Sequence, residues 1–296
     1  MNSRLSNNKL VGCILAAAMA FCSIAPAQAG GDEDNKGLWT TFEASKKVTK
    51  RFKVGGEAEF RTADYAKEVE RFALGVNGQY KINNYLKANA GYIFILGYNP
   101  ESSKDKFDDN GDYEGYNLDQ AYWEKRNRFY VALSGSYKIG RIELSVRERL
   151  QYTRTNSAIV DEEKHRFNIS ESPIYDEFGD YVFDEDGNVI TIREKEEKPV
   201  KTVPELKETD HNTVLRSRLS VKWNIPKSKI NPFVSTELYS RINHGWDGFD
   251  KLRSRIGASY KINKDNALEF YYLFEKAGKK GKPNTHAIGI GYSIDL

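Results

Sequence analysis

The sequence predicts an all-β fold: an antiparallel, up-and-down transmembrane β-barrel of about ten to twelve strands. Three observations point to it. Segments of about ten residues alternate apolar and polar side chains with period two. Their connections alternate between tight turns and long loops, the rhythm of a bacterial outer-membrane barrel. Each segment is near the ~9–11 residues that cross a bilayer when tilted, about twice the ~5–6 usual in a β-sandwich.

The elements follow in chain order. Residues 1–9 are polar and include Arg4 and Lys9, residues 10–25 are apolar, and Ala27-Gln28-Ala29 is a small-residue cleavage site. Residues 1–29 therefore read as a secretory signal peptide, leaving 30–296 as one barrel domain. "LVGC" at 10–13 resembles a lipoprotein box but precedes the apolar run instead of ending it. Cys13 and Cys22 both fall in the leader, which excludes disulfide and thiolate chemistry from the mature chain. Without Arg4 and Lys9 the net charge falls from +3 to about +1, so no global charge argues for a nucleic-acid partner. After Ala25 no apolar run approaches the ~20 residues of a membrane helix. The mean hydropathy of −0.66 suggests a soluble chain, but such an average conceals alternation.

Eleven segments carry the alternation: 38–45, 52–61, 71–81, 85–98, 128–138, 141–152, 214–224, 232–241, 251–261, 267–276 and 286–296. The first and last point the same way, whereas bacterial barrels ordinarily hold an even number of strands. The expected count is therefore ten, with 38–45 outside the wall, or, preferably, twelve with one strand unrecognised. Tight turns fall at 81–84, 138–141, 225–229 and 262–265; loop insertions occupy about 99–126 and 156–212. Descending strands open on Arg71, Arg128, Arg216 and Arg253 and close on Tyr80, Tyr137, Trp223 and Tyr260. Those aromatics would form a girdle at the periplasmic headgroup level. In the last segment, "THAIGIGYSIDL", the apolar face can look into lipid, and closure leaves no bare edge. Its Gly291, Tyr292, Ile294 and Leu296 resemble the signal read by the barrel-assembly machinery, with Leu where Phe is usual.

The stretches "LWTTFEASKKVTKRFKV", "EAEFR", "ALGVNGQYKINNYLKANAGY", "PFVSTELYSRI", "RSRIGASYKIN" and "LEFYYLF" carry a family likeness. Over most of the mature chain the sequence resembles a family of small bacterial outer-membrane barrels known mainly as a domain of unknown function. The resemblance implies fold and cellular place, with outer-membrane lipid and lipopolysaccharide as surroundings, and implies no chemistry. The 156–212 insertion departs from the shorter loop such a family leads one to expect.

Function is sought on the inward faces. There Arg61, Arg147, Arg149, Arg216, Arg218, Arg253 and Arg255 outnumber Glu57, Glu59 and Glu237, so a narrow bore for small anionic solutes is the first expectation. Glu57, Glu59 and Arg61 also suit an internal ion-pair cluster. A second class is surface binding through acidic loops, since 156–212 holds sixteen Asp and Glu against seven Lys and Arg. "FDEDGNVI" offers Asp184 and Asp186 as weak metal ligands and Asp186-Gly187 as a hairpin turn, but neither it nor "DDNGDYEG" at 108–115 fits a calcium loop. The third class is an outer-membrane hydrolase. His244, with Asp247 and Asp250 as orienters, is its one catalytic candidate; no His-x-Ser spacing and no zinc spacing occurs. No cofactor is expected.

Overall fold

A computed structural model describes residues 34–109, 111–184, 186–243, 248–278 and 283–296. The proposed leader lies outside that range. In chain order the strands are β1 (Asn35–Lys47), β2 (Phe52–Ala63), β3 (Glu68–Lys81), β4 (Leu86–Asn99), β5 (Ser102–Phe107), β6 (Tyr113–Asp119), β7 (Tyr122–Ile139) and β8 (Ile142–Thr155). They continue with β9 (Ala158–Pro173), β10 (Thr191–Glu197), β11 (Lys201–Lys207), β12 (Asp210–Trp223), β13 (Ile230–Arg241), β14 (Gly248–Lys261), β15 (Asn266–Ala277) and β16 (Thr285–Asp295). The only helical turn among the described residues is Asp64–Ala66.

Eleven strands close into a barrel in the order β1-β16-β15-β14-β13-β12-β8-β7-β4-β3-β2. Their period-two pattern sets the two faces. On β3, Leu74 (64% exposed) and Val76 (63% exposed) point outward, while Ala73 between Phe72 and Leu74 is buried. Ile256 and Ile288 are just as bare. Aqueous burial rules would make so much exposed aliphatic surface a liability, whereas in hydrocarbon it costs nothing. At the tight-turn end, Tyr80, Tyr137, Trp223 and Tyr260 stand exposed together with Tyr85, whose ring pairs with that of Tyr137.

Closure corrects the expected strand count. All eleven sequence segments are wall strands, including 38–45, and the ring closes through a parallel pair in which Asn35 faces Thr285 and Ser45 faces Asp295. An up-and-down ring with an odd number of strands must contain one parallel pair, because its first and last strands run the same way. The evenness rule was the wrong constraint. The seam is fastened along its length. At one end Asp34 accepts hydrogen bonds from Asn284 and contacts His286 Nε2 at 3.0 Å. In the middle Phe42 and Tyr292 stack at 5.7 Å outside, while Trp39 packs with Tyr271, Leu273 and Ala287 inside. At the other end Asp295 takes Ser45 Oγ and Lys53 Nζ, each at 2.5 Å. Gly289 allows this packing: a Cβ there would lie 2.0 Å from the Tyr271 ring.

Two compact units emerge. One is the barrel, up to Gly97 plus Glu124–Asn156 and Asp210–Leu296; the other is Tyr98–Trp123 with Ser157–Thr209. The stretches expected as loop insertions thus hold a five-stranded sheet of their own, ordered β10-β9-β6-β5, with β11 pairing the first half of β9. Its buried residues are mostly polar, with Asn117, Asp119 and Glu162 beside Val160.

Candidate functional site: the charged bore

The inward side chains of the barrel enclose a cavity of about 1020 Å³. Its lining begins four to six residues above the tight-turn end, at Glu43, Glu57, Arg147, Arg218, Arg255 and Tyr271, and rises to Glu124, Arg126, Asp210 and Pro283 at the opposite rim. Below it polar side chains pack the interior: Asn231, Ser235 and Ser259 are buried, and Lys222 Nζ donates to Ser259 Oγ at 3.0 Å. One wall is apolar, made by Ala73, Ile93 and Ile95 with Tyr130.

The rest of the lining is charged, with twelve Arg and Lys to eight Asp and Glu. The carboxylates are shared. Glu59 receives Arg61 at 2.8 Å and Arg71 at 2.7 Å. Glu237, itself 4% exposed, receives Arg147 at 2.6 Å, Arg216 at 2.8 Å and the Tyr239 hydroxyl at 3.0 Å. Glu275 receives Lys251 at 2.9 Å and Arg253 at 2.5 Å. Aromatic faces hold further positive charge: Arg61 lies 3.6 Å from the Trp39 ring centroid, Arg149 4.1 Å from that of Tyr130 and Arg216 4.6 Å from that of Tyr239. Arg128 donates to Thr153 Oγ1 at 3.0 Å. Each carboxylate–arginine group is a low-dielectric network whose members depend on one another.

The predicted bore residues converge. Glu57, Glu59, Arg61, Arg147, Arg149, Arg216, Arg218, Glu237, Arg253 and Arg255 all line this one cavity. Alternation did not find Asp250 and Lys251 together. The pairing of β13 and β14 shifts between Tyr239 and Ser240, which face Lys251 and Phe249, so Asp250 is an extra residue. That bulge turns both adjacent side chains into the bore, against period two. Asp250 accepts Arg241 at 2.7 Å. His244 and Asp247, its suggested catalytic companions, lie outside the described residues.

In the second unit, Asp184 Oδ1 accepts the backbone N–H groups of Asp186 and Asn188 at 3.0 and 2.8 Å. These hydrogen bonds, first that of Asn188, hold its carboxyl below the usual carboxylate range. The same fold of chain recurs twice. Asp176 Oδ1 binds the N–H groups of Phe178 and Asp180, and Asp108 Oδ1 that of Asp112. Gly111, Gly179 and Gly187 close the three turns with φ near +86°, +88° and +85°. "FDDNGDY", "YDEFGDY" and "FDEDGNV" are one repeated hairpin tip, a signal available in the sequence and unread there. A separate group, Asp119, Glu162 and Glu205, brings three carboxylates within 4.8 Å, with Lys207 and Lys104 bound to Asp119 at 2.9 and 3.1 Å.

Residues 36–285 match the family described as "Protein of unknown function (DUF2490)", and the chain belongs to it. No curated protein matches the chain. Among solved structures it is similar to the translocator domain of the autotransporter NalP from Neisseria meningitidis, at 13% identity and a TM-score of 0.22, covering 96% of this chain and 94% of that one.

Proposed function

We propose that this DUF2490 protein is an integral outer-membrane barrel of a Gram-negative bacterium whose basic bore admits small anionic solutes. The observation behind this reading is the cavity lining, in which four more positive than negative side chains face one cavity. In a narrow, low-dielectric space such an excess raises the local concentration of anions and repels cations. Wall strands of 11 to 18 residues and outward Leu, Val and Ile support the membrane setting. The leader supports export, with assembly guided by the signal at Gly291–Leu296 and lipopolysaccharide around the outer rim. The bore residues act as fixed charge, so no cofactor enters the reading.

Purified protein reconstituted in planar bilayers tests it. Discrete conductance steps are expected, with a reversal potential in a KCl gradient that reports chloride preference. Silent membranes or cation preference overturn the channel. A second reading, binding at the cell surface, draws on the repeated hairpin tips, where Tyr175, Phe178 and Tyr181 are exposed. It predicts that deleting residues 174–190 abolishes attachment to a surface or partner and leaves conductance unchanged.

A further inference from the structure

Like charges face each other across paired bore strands at Arg61–Arg71, where Glu59 bridges them, and twice over between β8 and β12. Strands β8 and β12 pair so that Arg147 faces Arg218 and Arg149 faces Arg216. Like charges directly across a ladder repel, and more strongly in a buried bore than on a wet surface. Glu237 satisfies two of the four, Arg147 and Arg216. Arg218 has no hydrogen bond or ion pair among the described residues, and Glu57 acts on Arg149 only through space. The Nε–H groups of Arg147, Arg149 and Arg216 are buried without an acceptor. Arg128, on the neighbouring strand β7, has a hydroxyl as its partner and no carboxylate.

We infer that this arginine block is a binding site for a dianionic oxyanion, inorganic phosphate or a phosphate monoester. Four guanidiniums, those of Arg147, Arg149, Arg216 and Arg218, stand against the carboxylates of Glu237 and Glu57, which leaves more positive charge than a monoanion can neutralise. Planar guanidinium forks match the edges of a phosphate, and the spare Nε–H donors supply directed hydrogen bonds. A cavity of about 1020 Å³ also holds an organic group beyond the phosphate. The inference rests on the anion-accepting bore and adds to it a site and a ligand class.

The test is binding and unfolding of the folded mature protein in detergent, at constant ionic strength, with inorganic phosphate, glycerol phosphate, acetate or phosphatidic acid micelles. Phosphate and glycerol phosphate are expected to bind saturably and raise the unfolding midpoint, with acetate at least tenfold weaker. If only phosphatidic acid micelles bind, the phosphate source is lipid and the soluble-ligand inference falls. The double variant Arg149→Gln/Arg218→Gln should lose at least tenfold in phosphate affinity. In phosphate-free buffer it should be no less stable than the parent, because it relieves repulsion. Lys138→Gln, at the tight-turn end, should bind like the parent. Equal phosphate affinity in the parent and the double variant overturns the site. Anion-selective conductance without phosphate binding removes this inference and leaves the channel; phosphate binding with silent membranes does the reverse.

Discussion

The barrel and the five-stranded sheet are both antiparallel β-structure over most of their length, yet they hide opposite things. The barrel turns Leu74, Val131, Ile256 and Ile288 out and keeps Glu237, Arg216 and Arg253 in. The sheet is wet on its surfaces and buries a small mixed group, Val160 with Asn117, Asp119 and Glu162. The proposed membrane setting would account for the difference. In that setting a wall facing lipid would need no apolar partner, so its polar groups can be concentrated in the bore, while the sheet has polar cross-links such as Lys207–Asp119.

The contrast is sharpest where one buried carboxylate serves two arginines. Glu237→Gln strands Arg147 and Arg216 in the bore, and the folded barrel should lose about 3–5 kcal/mol in denaturant unfolding from vesicles. A loss below about 1 kcal/mol would mean that the bore is hydrated enough to dissolve the network. Next in size is charge placed on the outer wall. Val131→Arg should cost about 2–4 kcal/mol if that face meets hydrocarbon. The same change at Ile159, 75% exposed in the second unit, should stay within about 0.5 kcal/mol. Equal costs at the two positions would erase the distinction between the two surfaces.

Smaller effects belong to the sheet. Burial pushes the Asp119 carboxyl up, and hydrogen bonds from Lys207 and Lys104 more than offset this, holding it below the ordinary value. A carboxyl depressed in the folded state stabilises above its unfolded pKa, and the benefit fades as pH falls through the lower folded value. Amide exchange in β6 and β11 should therefore accelerate in acid below about pH 4 in the parent, and Asp119→Asn should flatten that response. Least costly is the hairpin tip: Gly187→Ala places a Cβ at φ +85° and should destabilise that turn by about 1 kcal/mol, read as faster proteolysis between β9 and β10.

How far the sequence could be read follows from the same physics. A wall strand has an exposed apolar face outside and a polar face in the bore, so alternation marks it sharply, as in "RFALGVNGQYK". All eleven wall strands and the ten bore residues are legible that way. The parallel closure is legible too, in the first and last segments pointing the same way, and is masked only by the rule that bacterial barrels hold an even number of strands. The bulge at Asp250 breaks parity locally, and with it the inference that Asp250 belongs to a loop site instead of the bore. Strands such as β11, "KTVPELK", hold no buried residue, and their charges are set by solubility as much as by pairing. Pro204 within it deepens the concealment, since a proline is tolerated only at a sheet's margin.

The parallel seam has a consequence for how the molecule is made. Its two members stand about 250 residues apart in the chain, as the Asp34–Asn284 contact shows, whereas most other neighbours in the wall are joined by a nearby bend. Hairpins can therefore register early and locally, while the ring waits for its most distant encounter, the one with the largest entropic toll. Parallel ladders are also slightly weaker per residue. The same join is thus the last to zip during biogenesis and the first place where the cylinder would come undone.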